Sequence, residues 1–126
     1  MKLANFLVFK AIVELAFGIP TVLVPVQLLS LYGVTLDPAG TFMARCVGAS
    51  FIGIGLLCWF IRTTADPKTL QGIILALFIT DALSFIVTLS VQLSGLMNAL
   101  GWSAVAIWLL LALGLGYFRF VKPSAS

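Results

Sequence analysis

The sequence predicts an all-α integral membrane protein, a four-helix bundle of two antiparallel hairpins with a short interfacial helix after the first span. Three observations carry this. Of 126 residues, 62% are hydrophobic and 9% are charged, whereas a soluble domain carries about 25% charged residues to cover its surface. Four stretches reach the roughly 20 mostly apolar residues that a helix needs to cross a bilayer. The basic residues fall almost entirely on one side of those stretches, which places both termini in the cytoplasm. One compact domain fits this length. It is read as a single transmembrane unit over residues 1–126, with spans at about 3–24, 38–61, 67–91 and 98–120.

The first span runs from Leu3 to Val24. Lys2 ahead of an apolar run resembles the start of a signal peptide, but Lys10 and Glu14 interrupt the run and no small-x-small cleavage site closes it. The segment is therefore expected to be retained. Pro20 and Pro25 should bend or end its helix. The stretch PVQLLSLY, Pro25 to Tyr32, then reads as a short helix at the interface, with Gly33 as its stop. The second and third spans, Pro38 to Ile61 and Pro67 to Val91, open on the same device. Asp37-Pro38 and Asp66-Pro67 each offer an N-cap carboxylate followed by a proline at the first helical position, where its missing N–H costs nothing. A short uncharged connection, Gln92 to Met97, leads into the fourth span, Asn98 to Phe120. The likeness between Val26–Leu31 and Val91–Leu96 is read as chance within an apolar alphabet.

Orientation follows from the cations. Lys2, Lys10, Arg62, Lys68, Arg119 and Lys122 lie on one side and Arg45 on the other. Aromatic residues suit belts at both surfaces, with Trp59, Phe60, Tyr117, Phe118 and Phe120 inside and Tyr32 and Trp102 outside. Small four-helix fluoride channels and multidrug exporters have similar length, and some of them insert both ways because their charge is balanced. This chain is not balanced, and it lacks their motifs.

Absent chemistry narrows the functional classes. With no histidine, bis-histidine haem, ordinary zinc catalysis and Ser-His-Asp chemistry are excluded. Cys46 and Cys58 are twelve residues apart, roughly 18 Å along a helix, so they cannot bridge and are expected to be buried structural thiols. The Gly53–Gly55 and Gly114–Gly116 pairs lie in apolar helices and are not phosphate cradles. No cofactor or metal is predicted. A bound lipid, quinone or other apolar molecule is the ligand class left open. The net charge of +3 reads as membrane anchoring rather than nucleic-acid affinity.

Beside the cations assigned to the cytoplasmic side, three ionisable residues lie inside the predicted membrane region: Glu14, Arg45 and Asp81. Each costs about 2.5–3.5 kcal/mol at a helix centre, so such groups face the bundle interior and pair. At about 1.5 Å per residue, Asp81 lies roughly 21 Å from the inner end of its helix and Arg45 roughly 10 Å from the outer end of its own. A long Arg side chain spans the difference, so an Arg45–Asp81 ion pair is expected. Glu14, roughly 16 Å from the inner end, either joins Asp81 across the bundle or meets Lys10 one turn below on the same face. Two carboxylates around one cation would leave one carboxyl to hold a proton. The trio then reads as a structural clasp fixing helix register, or as a site for proton movement or capture of a cationic or hydrogen-bonding ligand.

Asp81, Ser84, Thr88 and Gln92 recur at spacings of three and four, forming one polar stripe with Thr80 beside it. Such a stripe should face helices or a cavity, unless its hydroxyls simply bond their own helix carbonyls. The second span is rich in small residues, with Ala44-xxx-Gly48 and Ala49-xxx-Gly53 permitting close helix approach, and the fourth has Ala112-xxx-Gly116. Trp108 lies mid-span, where core packing is the first reading; its indole N–H needs a buried acceptor, and a carboxylate or a bound ligand is the alternative.

The pattern PVQLLSLYG, DPAGTFMARCVGAS and GIGLLCW between Pro25 and Trp59, with DALSF at 81–85 and LSGLMNALGWS at 93–103, resembles small bacterial inner-membrane proteins of the DoxX-like four-helix kind. The resemblance implies a four-helix membrane fold, cytoplasmic termini and a place in the bacterial inner membrane. It brings no activity or catalytic residue. The redox associations of some DoxX-like proteins have no counterpart in a chain without histidine or a cysteine pair. The expected function is that of a binding or accessory subunit, homo-oligomeric or within a larger membrane complex, with a polar site buried in the bundle. The alternative is a small transporter or proton-coupled carrier using the intramembrane carboxylates. An enzyme acting on a lipid or quinone comes third. The candidate site residues are Glu14, Arg45, Asp81, Ser84, Thr88, Gln92 and Trp108.

Overall fold

The computed structural model describes residues 2–64 and 66–121; Lys122 and the tail after it, expected at the cytoplasmic surface, lie outside the described residues. Among the described residues there are five helices: α1 Leu3–Leu23, α2 Pro25–Leu31, α3 Pro38–Ile61, α4 Pro67–Leu93 and α5 Gly101–Gly116. The last of these continues as wider π-helical winding over Tyr117–Val121. Four of them are long and apolar enough to cross a membrane: α1, α3, α4, and α5 with its extension. Their outward faces carry exposed Ile12, Phe42, Phe60, Ile86 and Leu110, surface that water would penalise and lipid accepts. The protein is an all-α, multi-pass membrane bundle.

Local sequence explains the boundaries. Asp37 caps α3 by accepting the Gly40 amide at 2.6 Å. At α4, the Asp66 carboxylate accepts from the Thr69 hydroxyl and from the Lys68 amide at 3.3 Å. These bonds, the Thr69 hydroxyl first, hold its carboxyl below the usual range. Pro20 does not end α1, which runs on to Leu23; the break comes at Val24, just before Pro25 opens α2. Gly33, at φ +79°, turns the chain after α2 in a conformation that costs glycine nothing. The fourth span opens three residues later than its sequence predicts, because Asn98 is used elsewhere. Its side-chain amide donates to the Leu31 carbonyl at 2.9 Å and its backbone amide to the Tyr32 carbonyl at 2.8 Å. The loop before α5 is thereby tied to the end of α2.

Packing pairs α1 with α3 and α4 with α5. The first pair meets through glycine. A Cβ on Gly48 would stand 2.9 Å from the Gly18 carbonyl oxygen, and one on Gly55 would stand 3.2 Å from the Ala11 carbonyl. The backbones approach as closely as small-residue helix pairing allows. Gly53 and Ala49 turn outward instead: a Cβ at Gly53 meets nothing within 4 Å, and Ala49 is exposed.

The core is confined to one half of the bundle. Leu3, Phe6, Leu7 and Ala11 of α1 pack there with Cys58 and Ile61 of α3, Leu70, Ile74 and Leu77 of α4, and Leu111, Leu115 and Phe118 of α5 and its extension. This is the half that holds the start of α1 and the end of α5. In the other half, nearer α2, the two helix pairs diverge around a cavity.

Candidate functional site

Lys10 sits where the packed half ends. Seven residues into α1, its side chain is completely buried. Its ammonium donates to Glu14 Oε1 at 2.6 Å, one turn further along the same helix, and to Asp81 Oδ1 at 2.9 Å and Oδ2 at 2.8 Å on α4. An ammonium has three donors, so all three are used. Glu14 and Asp81 are buried almost as fully, at 2% and 1% exposure. The Trp108 ring lies 5.9 Å from the ammonium. One cation thus joins α1 to α4 across the bundle, in a setting where an unpaired charge would be prohibitive.

This corrects the expected Arg45–Asp81 pair. Arg45 is exposed on α3 and makes no ion pair among the described residues; Asp81 spends both oxygens on Lys10. The meeting of Glu14 with Lys10, one of the two arrangements considered for that carboxylate, is present. Of the two thiols expected to be buried, Cys58 is, whereas Cys46 is exposed and the two are not bridged.

Above the cluster lies a cavity of about 330 Å³. Glu14 forms part of its wall, Phe17, Phe51 and Trp108 line its sides, and Leu28 and Leu29 of α2, with Tyr32 just after it, close it from the far end. Its surface is almost entirely apolar, and Glu14 is the one carboxylate among the described residues that line it. A shallower groove of about 390 Å³ adjoins it, sharing Val47, Phe51, Val87, Thr88 and Trp108 and adding Thr80 and Ser84. The groove runs between α3 and α4, two helices that barely touch, and it opens on the outward surface of the bundle.

The polar stripe of α4 divides along its length. Thr80 returns its hydroxyl to the Ala76 carbonyl at 2.9 Å. Ser84 and Thr88 line the groove, and neither hydroxyl bonds a described residue. Gln92 lies apart from both spaces. It is buried against the loop and donates to the Asn98 carbonyl at 3.1 Å, so its role is to hold the α4–α5 connection. Trp108 packs against Phe51 with ring centroids 5.6 Å apart, and its indole N–H has no acceptor among the described residues.

The family model described as Domain of unknown function (DUF8292) matches residues 8–121. The chain belongs to this family. No curated protein and no solved structure matches it. The DUF8292 match runs through Lys10, Glu14, Asp81 and every residue of the cavity wall, so the cluster and the cavity fall within the domain that the family defines.

Lys10 is the residue that sequence reasoning missed as a site member, because its cationic charge near the start of the first span fits an anchor at the membrane surface. A signal was present. Leu3, Leu7, Lys10, Glu14, Gly18 and Thr21 follow one another at steps of four or three, which puts them on one helix face, and all six are buried. Lys10 shares that face with the carboxylate four residues on.

Proposed function

We propose that this protein binds a small amphiphilic molecule drawn from the membrane, holding it in the cavity between the two helix pairs. The observation that carries this reading is the cavity itself. It is apolar, of a size typical of small-molecule sites, has one carboxylate in its wall, and adjoins a groove facing the region where lipid would lie. Ser84, Thr88 and the Trp108 N–H supply unused hydrogen-bonding groups along that route, as a polar head passing through an apolar passage requires. The surrounding assembly in this proposal is a bacterial inner membrane with both termini cytoplasmic, in keeping with Lys2, Arg62, Lys68 and Arg119 at one end of the bundle and Arg45 at the other. The resemblance to DoxX-like inner-membrane proteins implies the same placement. In it the protein acts as a binding or accessory subunit, alone or as a homo-oligomer.

Transport by the same carboxylates is the second reading, and the packing weighs against it. A path from the cavity to the opposite end must pass Leu7, Leu111, Leu115 and Phe118, all at most 3% exposed. Binding needs no such rearrangement.

Native mass spectrometry of the protein released from mild detergent tests the proposal. The wild-type chain is expected to carry a small-molecule adduct that Ala104→Phe, which fills the cavity from α5, removes. Equal occupancy in both proteins, or a bare chain in both, overturns it.

A further inference from the structure

The cavity has a charge as well as a shape. One ammonium faces two carboxyl groups in the buried cluster, so the second of them is balanced only by holding a proton or by meeting a further cation. All three donors of Lys10 are spent, and both Asp81 oxygens are taken. Glu14 accepts through Oε1 alone, so Oε2 has no partner among the described residues, and Glu14 is the member of the trio that lines the cavity. The carboxyl left to be balanced and the free acceptor therefore coincide on one buried side chain that borders the cavity.

The walls are the second, independent observation. Phe17, Tyr32, Phe51 and Trp108 surround the cavity, supplied by α1, the end of α2, α3 and α5. Aromatic faces attract cations through their ring quadrupoles, most strongly where water is excluded, and cages of such rings are a recurring means of holding alkylated ammonium groups. An anionic head would be repelled by the Glu14 carboxylate, and a neutral donor would gain a hydrogen bond there but not the attraction that the rings offer a cation.

We infer that the ligand of this cavity is a small lipophilic monocation, an ammonium-type head set against Glu14 and the aromatic walls with its apolar body toward the groove. The inference rests on the binding function proposed above and specifies its ligand class. Membrane solubility of the apolar body explains the lateral groove, and the positive head explains why the cluster holds one carboxyl group more than the Lys10 charge can balance in an otherwise apolar bundle.

Two probes of equal shape separate charge from cavity. Benzyltrimethylammonium and neopentylbenzene differ only in a central nitrogen cation against a carbon. Their binding is measured by equilibrium dialysis against the full chain in zwitterionic-lipid nanodiscs, corrected by empty nanodiscs. The cation is expected to bind at least about tenfold more tightly than its neutral isostere, the scale of a charge-assisted contact. Glu14→Gln keeps a carbonyl oxygen for Lys10 and should weaken the cation about tenfold while leaving neopentylbenzene unchanged. Equal affinity of the two probes for the wild-type protein, or an unchanged cation affinity in E14Q, overturns the charge inference and leaves the cavity reading standing. Retention of neither probe overturns both. If E14Q loses its fold, the two probes on the wild-type chain decide alone.

Discussion

The Lys10 ammonium lies 2.8 Å from Asp81 Oδ2 although the two residues are 71 positions apart in the chain. This contact closes the first helix onto the third long one, two elements that otherwise share few contacts. Removing the cation strands two buried carboxylates against each other. Lys10→Met is therefore expected to cost about 3–5 kcal/mol, read as a lowered unfolding midpoint in detergent. The triple change Lys10→Met, Glu14→Gln, Asp81→Asn removes the charges together and should recover most of that loss. A Lys10→Met protein as stable as wild type would show that the buried contact contributes nothing.

Arg45 makes the complementary case. Exposed and without an ion-pair partner among the described residues, it should tolerate Arg45→Ala within about 0.5 kcal/mol. Combined with Asp81→Asn, its effect should add, whereas Lys10→Met with Asp81→Asn should show strong coupling. A double-mutant cycle on each pair distinguishes them. Coupling of Arg45 to Asp81 above that of Lys10 to Asp81 would contradict the observed pairing.

The helices were legible in the sequence because their signals are local. Asp-Pro at 37–38 and 66–67 marks two starts, and both carboxylates cap as the residue types predict. The partner of Asp81 was not legible in the same way. Depth along a helix follows from residue count, but which face a side chain occupies relative to a helix 71 residues away depends on how the helices rotate against one another. Arg45 and Lys10 stand at comparable distances from the midplane, and rotation of α3 carries Arg45 outward while the close Gly18–Gly48 approach fixes α1 with Lys10 inward. The cavity was legible only as a polar stripe on α4. Its aromatic walls come from four separate segments and share no periodicity that a single stretch could reveal.

Two glycines of α3 should respond oppositely to alanine. At Gly48 the added Cβ would stand 2.9 Å from the Gly18 carbonyl oxygen, the Thr21 Cβ and a Val22 methyl, so α1 must move away, a strain of about 1–3 kcal/mol. At Gly53 nothing lies within 4 Å. There the substitution relieves the backbone freedom of glycine in a helix interior and is expected to stabilise by up to about 1 kcal/mol. Thermal unfolding of the two variants in the same detergent checks the contrast. A destabilising Gly53→Ala would mean that this face of α3 is covered.

Asn98 ties the roof of the cavity to the rest of the bundle. Its side-chain amide and backbone amide both donate to carbonyls at the end of α2, while its own Oδ1 accepts the Leu100 amide at 3.0 Å. Leu28, Leu29 and Tyr32 can close the cavity only while α2 is held in this position. Asn98→Ala removes the side-chain tie and the turn bond but leaves the backbone one. The expected cost in global stability is modest, about 0.5–1.5 kcal/mol for a net hydrogen bond, because α2 contributes little to the core on the opposite side. The local consequence is larger. Hydrogen–deuterium exchange should rise in residues 25–34 with little change in α1 or α4, since opening of a weakly packed segment requires only its own contacts to break. Uniform acceleration across all helices would instead assign Asn98 to the global fold, and unchanged exchange in α2 would show that the roof is held by its leucines alone.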